Sequence, residues 1–395
     1  MTKTSALASA AATARIAAPV PSRLAAACSA GMEACWLAAL VVATLFFNTH
    51  STRIFEPDKL ALVRTLALVV AALAVTRAVD TGWNPLRTNF QRPSGASLRA
   101  WLAGNPLPAA ATLYLLFTLI STAFSISPAQ SLWGSHARAQ GLYSLLAYAI
   151  FALAAYTQIR TARQLWRLLD TLIFVSVPLS FYGVMQRFGL DTYQWQQFFT
   201  QTRITSTLGN PIFVGGFLVP VIPLTATAFI HACYGRRTIR PRPTAHWLRA
   251  SIYALCLPLQ LLALWFTGSR GPVLAIVPGL LLAGLVFLVV TGKRLWVAAL
   301  TAAGIAAVIF IAALNIPQGP LESLRDADTT LGRLGHLLDG SRDSPASTRQ
   351  RVLIWQGVLE SVLPHAPIPF TTGGSDRWNS VRPLVGYGLE YPLPD

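Results

Sequence analysis

Long apolar runs fill most of the first 314 residues and are separated by short polar segments. A helix needs roughly 20 apolar residues to cross a bilayer core of about 30 Å. Nine runs approach or exceed that length, at about residues 34–50, 59–79, 106–125, 140–158, 165–187, 211–232, 247–266, 272–291 and 295–314. Lipid offers the backbone no hydrogen-bond partners, so each run is predicted to be a helix. The predicted fold class is an all-α polytopic integral membrane protein with about nine transmembrane helices.

Composition divides the chain into three parts. Hydrophobic residues make up 53% of the chain, charged residues 12%, and the mean hydropathy is +0.50. Residues 1–32 are Ala-rich and lack an uninterrupted apolar core before a cleavage site, so they are predicted to be a disordered cytoplasmic tail. Residues 33–314 are predicted to form the transmembrane domain. The more polar residues 315–395 are predicted to be an extracytoplasmic loop region.

The net charge of +16 alternates from loop to loop. A nucleic-acid-binding protein would cluster such charge on a polar domain, and the sequence has none. Alternate segments hold most of the basic residues: Lys3, Arg15, Arg23, Arg77, Arg87, Arg92, Arg99, Arg160, Arg163, Arg167, Arg236, Arg237, Arg240, Arg242, Arg249, Lys293 and Arg294. The segments between them hold Arg53, Lys59, Arg138, Arg187, Arg203 and Arg270. The positive-inside rule therefore predicts a cytoplasmic N-terminus and, after nine spans, an exported C-terminal region.

The sequence carries no cofactor signature. Its four cysteines, at positions 28, 35, 233 and 256, fall on the inner side or within helices, so no disulfide framework is expected. No Cys/His metal spacing, Walker loop or G-x-G-x-x-G motif is present. The prediction is that the protein uses neither a metal nor a nucleotide cofactor.

Two exported turns share one chemical pattern. Arg203 precedes Ser-Thr-Leu-Gly-Asn210 and a helix that starts with Pro, and Ser269-Arg270 precedes a second such helix. Free N–H groups at a helix N-terminus, with an arginine nearby, can hold a phosphate. A guanidinium fork matches phosphate oxygens better than an ammonium does. The alternative interpretation is two ordinary capped helix starts with topology-setting arginines.

Two further arginines lie in predicted exported segments. Arg138 follows a polar stretch that begins after the third apolar run, and the alternative is that it snorkels from a helix start. Residues 348–363 are predicted to form an amphipathic helix, with Arg349 and Arg351 in its first turn, against the preference of the helix dipole. Its apolar face is marked by Leu353, Trp355, Val358, Leu359 and Val362.

Five ordered motifs resemble those of the O-antigen ligase and O-antigen polymerase superfamily. They are Trp133-Gly-Ser…Arg138…Gly141, Arg203…Ser-Thr-Leu-Gly-Asn-Pro211, Thr267-Gly-Ser-Arg-Gly271, Arg351-Val-Leu-Ile-Trp355 and Pro383-Leu-Val-Gly-Tyr-Gly-Leu-Glu390. The resemblance implies a multi-pass glycosyltransferase of the bacterial inner (cytoplasmic) membrane. Its donor would be a glycan on undecaprenyl diphosphate, and its acceptor lipid A core, another glycan or a protein. The family uses no metal and no nucleotide sugar.

The resemblance also suggests roles for individual residues. Arg203 and Arg270 are predicted to stabilise the diphosphate leaving group, and are the catalytic candidates. Predicted substrate-binding residues are Arg138, Arg351, Asn210, Ser269 and Glu390. Relatives continue to a His-Asn motif whose histidine is important for catalysis, and then to more membrane helices. This chain ends at Asp395 without that motif. The expectation is a truncated family member whose activity is in doubt.

Two other functions compete with a glycosyltransferase. A secondary transporter or flippase for an anionic lipid-linked substrate would also need arginines. It would typically show ionisable groups inside helices and internal symmetry. The apolar runs hold only Arg64, Arg167, Asp170 and Arg249 as such groups, and no repeat is evident. The second competitor is a non-catalytic membrane subunit or remnant, which the missing motif favours.

Overall fold

The fold comes from a computed structural model. It describes residues 22–81, 105–136, 138–191, 202–234, 243–316, 318–325, 332, 334–335, 346–363, 366–367 and 375–389. Ten helices precede the tail in the described ranges: α1 (Arg23–Leu45), α2 (Pro57–Asp80), α3 (Pro106–Ala123), α4 (Pro128–Trp133), α5 (Leu142–Gln158), α6 (Ala162–Arg187), α7 (Pro211–Tyr234), α8 (Pro243–Phe266), α9 (Arg270–Val290) and α10 (Arg294–Leu314). The tail adds α11 (Glu322–Arg325), α12 (Ala346–Val362) and α13 (Arg382–Val385).

The predicted all-α polytopic membrane fold is confirmed. Eight helices among the described residues are long and apolar enough to cross a membrane, namely α1, α2, α3 and α6–α10. The helix α5 is apolar but has 17 residues, which corresponds to about 25 Å of helix. The eight helices and α5 match the nine apolar runs of the sequence one for one.

A contact at the start of α5, together with its short connection to α6, shows the direction in which α5 runs. Arg64 of α2 donates to Ser144 at the start of α5. Lys59, in the first turn of α2, donates to the carbonyl of Thr207. The preceding residue, Ser206, donates its backbone N–H to Gln186, which lies near the end of α6. The start of α5 and the end of α6 therefore lie at one end of the bundle. Since only residues 159–161 join α5 to α6, the two helices run antiparallel.

We call that end of the bundle the motif end. There α1, α3, α6, α8 and α10 finish, and α2, α5, α7 and α9 begin, as alternating antiparallel helices must. A core beneath it is formed by buried side chains from α6, α7, α8 and α9 and from Ile204 in the 203–210 turn. Close approach of α7 to α9 depends on Gly215, because a Cβ there would lie 2.5 Å from the Pro272 ring. The core thus fixes the helix ends that carry the motifs.

Candidate functional site

The two predicted arginine segments meet at the motif end. The Arg203 Nε donates to the Thr267 carbonyl at 3.1 Å, and one of its terminal nitrogens donates to Ser269 Oγ at 3.2 Å. The backbone N–H of Ile204 donates to the Phe266 carbonyl at 3.2 Å. The Arg203 guanidinium therefore contacts the residue directly before Arg270. We call residues 203–210 together with 267–270 the arginine turn.

The two helix starts in the arginine turn differ in their caps. Asn210 Oδ1 accepts a hydrogen bond from the backbone N–H of Ile212 at 2.9 Å, which caps α7 as expected. The Ser269 side chain makes no such cap for α9, so the expectation of a capped start is wrong there. Its hydroxyl, which is buried, instead accepts from Arg203. Arg270, at the first position of α9, thus sits at a helix N-terminus whose cap residue is committed to the other arginine.

The 203–210 segment is held in a strained conformation by α6. Ser206 has a φ of 48°, in the left-handed region that a non-glycine residue rarely adopts. The fully buried Gln186 accepts from the backbone N–H groups of Thr205 and Ser206, at 3.2 and 2.7 Å. Ser206 Oγ donates to the Leu179 carbonyl at 2.6 Å. These hydrogen bonds offset the backbone strain at Ser206. A strained backbone that is held in this way indicates a conformation that the rest of the fold imposes.

The opposite side of this segment rests on the α1–α2 connection. Thr207 Oγ1 donates to the Thr44 carbonyl at 2.7 Å, and Lys59 Nζ donates to the Thr207 carbonyl at 3.3 Å. Gly209 has a φ of 72°, and a Cβ there would lie 2.3 Å from the Phe55 ring. Only glycine satisfies both conditions. The arginine turn is therefore fixed from both sides.

A second basic residue of α2 organises the 133–144 loop. The Arg64 Nε donates to Ser144 Oγ at 3.0 Å, and a terminal nitrogen donates to the carbonyls of Trp133 and Ala139. Its guanidinium also lies 4.7 Å from the centre of the Tyr143 ring. Arg64 thus fixes the loop that carries the first family-like motif.

Arg138 lies in that loop but is not drawn into the arginine turn. Its side chain is exposed, and its backbone N–H donates to Ser135 Oγ at 3.3 Å. Across the part of the chain that the structure describes, the Arg138 side chain makes no hydrogen bond or ion pair. Its predicted role in substrate binding stays a prediction.

A buried ion pair organises the tail segment 375–389. The Arg382 Nε donates to Asp376 Oδ2 at 2.6 Å and a terminal nitrogen donates to Oδ1 at 2.8 Å, with side chains 1% and 2% exposed. The remaining terminal nitrogen of Arg382 donates to the carbonyls of Phe124 and Gly386. Such a bidentate pair is geometrically specific, and its bond to Phe124 ties the tail to the end of α3.

The glycine-rich motif of the tail docks on the segment that follows α3 and on α4. The Tyr387 carbonyl accepts from Ser125 Oγ and from the backbone N–H of Ile126, at 3.1 and 3.3 Å. The Leu389 carbonyl accepts from Ser131 Oγ at 3.0 Å. Gly388 has a φ of 102°, and a Cβ there would lie 2.1 Å from Ser125 Oγ, so only glycine allows this approach.

Burial of this docked segment also affects its ionisation. Burial raises the pKa of the Tyr387 hydroxyl above its ordinary value, and Asp376 adds to the rise while Arg382 opposes it. The neutral hydroxyl donates to the Ser361 carbonyl at 3.2 Å, which connects the segment to α12.

Two predicted site residues cannot be placed. Glu390 lies outside the described residues, directly after the docked Leu389. Arg351 lies in the first part of α12, and its side chain is outside the described part of the structure. Among the described residues, no three His, Cys, Asp or Glu side chains form a group that could hold a metal ion.

Sequence reasoning missed four basic or acidic residues that the structure uses at the motif end: Lys59, Arg64, Asp376 and Arg382. In the sequence pattern, Lys59 is one of the basic residues of a loop, and Arg64 is one ionisable group inside a span. Neither pattern indicates a structural contact. The signal that could have found Lys59 and Arg64 is the free-energy cost of a charge in a helix of mean hydropathy 1.9, because a charge in such a helix needs a partner.

Comparison with known proteins gives one match. The family model described as O-antigen ligase matches residues 255–393. The matched part covers the second half of α8, all of α9, α10 and α12, and the docked tail segment. It contains Ser269, Arg270, Arg351 and Glu390, whereas Arg138, Arg203 and Asn210 precede it. No curated protein and no solved structure matches the chain.

Proposed function

We propose that this chain, a member of the O-antigen ligase and O-antigen polymerase superfamily, takes a glycan from an undecaprenyl diphosphate carrier. The acceptor would be a lipid, a glycan or a protein at the outer face of the cytoplasmic membrane. The observation that carries the proposal is the contact of Arg203 with Ser269, directly before Arg270 at the start of α9. That contact joins two arginines and a helix N-terminus at one end of a membrane bundle.

The chemistry of the donor explains why such a turn would help. As the bond between the anomeric carbon and the phosphate oxygen breaks, the electron pair stays on the diphosphate. Meanwhile the acceptor oxygen bonds to the anomeric carbon and its proton passes to a base. Fixed guanidinium donors stabilise the negative charge that grows on the leaving group, and they require no reorganisation during the step. Arg203 and Arg270 are assigned to the diphosphate.

The remaining predicted residues are proposed to bind substrate around the arginine turn. Asn210 Oδ1 caps the start of α7 by accepting from the backbone N–H of Ile212, and the amide nitrogen of the same side chain is the donor proposed to bind substrate. Glu390 follows Leu389, whose carbonyl is bonded to Ser131 at the motif end. The motif end is proposed to face outward, because the opposite end receives the more basic loops.

The structure offers less support for a transporter than the sequence did. Three of the four ionisable groups that the sequence analysis found within the spans are engaged in structural pairs among the described residues. Arg64 donates to the 133–144 loop, Arg167 is paired with Glu33 at 2.6 Å, and Asp170 accepts from Tyr253 at 2.6 Å. Groups held in this way serve packing better than they serve a moving substrate.

The test compares two arginines that occupy the same helix position at opposite ends of the bundle. Arg270 begins α9 at the motif end, and Arg294 begins α10 at the other end. Purified protein in lipid vesicles is assayed for binding of undecaprenyl diphosphate and for glycan transfer from a lipid-diphosphate donor. We expect Arg270→Ala to weaken binding and to slow transfer by roughly 10²–10³-fold, as for the loss of one preorganised donor. Arg270→Lys should recover only part, because it loses the fork.

The matched control is Arg294→Ala, which should leave both readouts unchanged. Equal effects of Arg270→Ala and Arg294→Ala would contradict the assignment of the diphosphate to the arginine turn. Full activity of Arg270→Lys would show that Arg270 supplies only a charge. Binding of the carrier without transfer to any acceptor would overturn the proposed reaction. Movement of the carrier across the vesicle membrane, in place of transfer, would favour a flippase.

A further inference from the structure

The helix α12 presents an apolar stripe that no other described part of the chain covers. The stripe consists of Val352, Ile354, Trp355, Val358, Leu359, Val362 and Leu363. Leu353, which the sequence placed on this face, is also exposed but lies outside the stripe, on the side of Gln356 and Glu360. At about 100° per residue the positions of the stripe fall within about half of the helix circumference. All seven are exposed, with Trp355 at 69% and Leu359 at 61%. Large contiguous apolar surfaces of this kind mark interaction sites.

The opposite side of α12 faces the docked tail segment. The Ser361 carbonyl accepts the hydroxyl of Tyr387 at 3.2 Å. Gly357 and Ser361 are the least exposed residues between positions 352 and 363. Trp355 and Leu359 lie roughly 120–160° around the helix axis from Ser361. Most of the stripe therefore points away from the tail that holds the helix, and Ile354, about 20° from Ser361 around the axis, forms the edge of the stripe next to the tail.

Tyr387 also fixes the position of α12 relative to the end of α3. While its hydroxyl contacts Ser361, its carbonyl accepts from Ser125 and Ile126, which follow directly after α3 ends at Ala123. The helix α3 is one of the candidate membrane spans. The C-terminal end of α12 is thus one tyrosine side chain away from the level at which a span leaves the bilayer.

We propose that α12 lies in the membrane interface, with the apolar stripe inserted between the outer acyl chains and head groups. A helix with a polar side and with Trp and Leu on its other side binds in this way, about 5–10 Å deep. Trp suits the head-group level. Arg349, in the part of the helix before the stripe, matches the anionic head groups of a lipid surface. This proposal does not depend on the reaction that the protein catalyses.

Spin-label accessibility distinguishes the three surroundings that the stripe could have. Cysteines are introduced one at a time at Trp355, Leu359 and Val362, and for the polar side at Gln356 and Glu360. The four native cysteines are buried or half-buried, so the unsubstituted chain gives the labelling background. Each labelled protein is reconstituted in vesicles of phosphatidylethanolamine and phosphatidylglycerol. Collision rates with oxygen, which concentrates in lipid, and with a water-soluble nickel chelate are then measured.

We expect the oxygen-to-nickel ratio at Trp355, Leu359 and Val362 to exceed that at Gln356 and Glu360 by several-fold. High nickel collision at all five positions would show that the stripe faces water and would overturn the proposal. Low collision with both reagents at the stripe would mean that protein covers it, from a second copy or another partner, and would overturn it equally. Labels at Gln356 and Glu360 also report folding, because an unfolded helix would lose the periodic difference. Thermal unfolding of each variant separates that case from a folded helix in water.

Discussion

The strongest prediction from the structure concerns the Asp376–Arg382 pair. Both side chains are almost fully buried, and two hydrogen bonds join them at 2.6 and 2.8 Å. Removal of one partner from such a pair leaves an uncompensated buried charge and typically costs about 3–5 kcal/mol. Because the pair lies within the tail, we expect Asp376→Ala to raise the free energy of the docked segment rather than to unfold the transmembrane helices.

Hydrogen exchange measures this local cost. A factor of ten in an equilibrium constant corresponds to about 1.4 kcal/mol, so exchange in residues 375–389 should accelerate by roughly 10²–10³-fold. The acceleration cannot exceed the factor that corresponds to the whole local free energy of unfolding of this segment. The backbone N–H of Ile126 should follow, since it donates to the Tyr387 carbonyl. Peptides from α6 should exchange as before.

Two variants make the experiment decisive. Arg377→Ala removes an exposed arginine next to the pair and should change exchange by less than about twofold, as for a solvated surface charge. The double variant Asp376→Ala, Arg382→Met removes both buried charges, so it should cost less than the sum of the two single variants. Unchanged exchange in Asp376→Ala would refute the claim that this pair holds the tail against α3. Additive effects would show that the two side chains act separately.

Three further predictions concern the motif end. Gly209→Ala should lower the thermal unfolding temperature, because it adds about 1–2 kcal/mol of left-handed strain to a clash with Phe55, and the additional change Phe55→Ala should relieve only the clash. Gln186→Leu should cost about 1–3 kcal/mol for each of two orphaned backbone N–H groups, and hydrogen exchange at Thr205 and Ser206 should accelerate; unchanged exchange there would contradict the acceptor role. Arg64→Lys should increase hydrogen exchange in residues 133–144, because a single ammonium cannot replace both the Nε and terminal-nitrogen bonds, and protection equal to the unsubstituted chain would refute this.

Helix positions were predictable because the bilayer imposes a length and a hydrogen-bonding rule that act on each run separately. The eighth run illustrates this: residues 272–291 were predicted, and the helix spans Arg270–Val290. The two-residue difference at its start moves Arg270 from the turn into the first helical position. Ends of helices depend on capping contacts with other segments, such as that of Arg203 with Ser269, which a single run does not reveal.

Contacts between segments were less predictable than the segments themselves. The sequence placed Arg203 and Arg270 on the same side of the membrane, but their approach depends on α6, α7, α8 and α9 sharing one core. The partners of Arg64 lie 69–80 residues away in the chain. Asp376 and Arg382 are only six residues apart, yet charges in a polar tail are usually solvated. Their burial follows from docking on Phe124, which no local pattern encodes.

The distribution of polar contacts gives a physical reason for the location of the candidate site. Between helices in lipid the hydrophobic effect is absent, so their arrangement depends on close packing and on hydrogen bonds. The helices α9 and α10 expose most of their apolar surface, with 6% of each apolar window buried, and they pack through Gly284 against Leu300. Near the motif end, by contrast, the described contacts run without interruption from the tail through Ser125 to α3 and α4. Arg64 on α2 then contacts the Trp133 carbonyl at the end of α4, and Lys59 on α2 contacts Thr207 in the arginine turn.

This connected network favours a rigid platform at the motif end and a more compliant lipid-facing pair of helices beside it. A group that stabilises developing charge must be fixed before the reaction, because reorganisation during the step would consume the gain. Thr267 and Ser269 hold the Arg203 side chain in place, and Gln186 holds the strained backbone at Ser206 in the same turn. The arginine turn therefore has the property that leaving-group stabilisation requires, independently of the family resemblance that first singled it out.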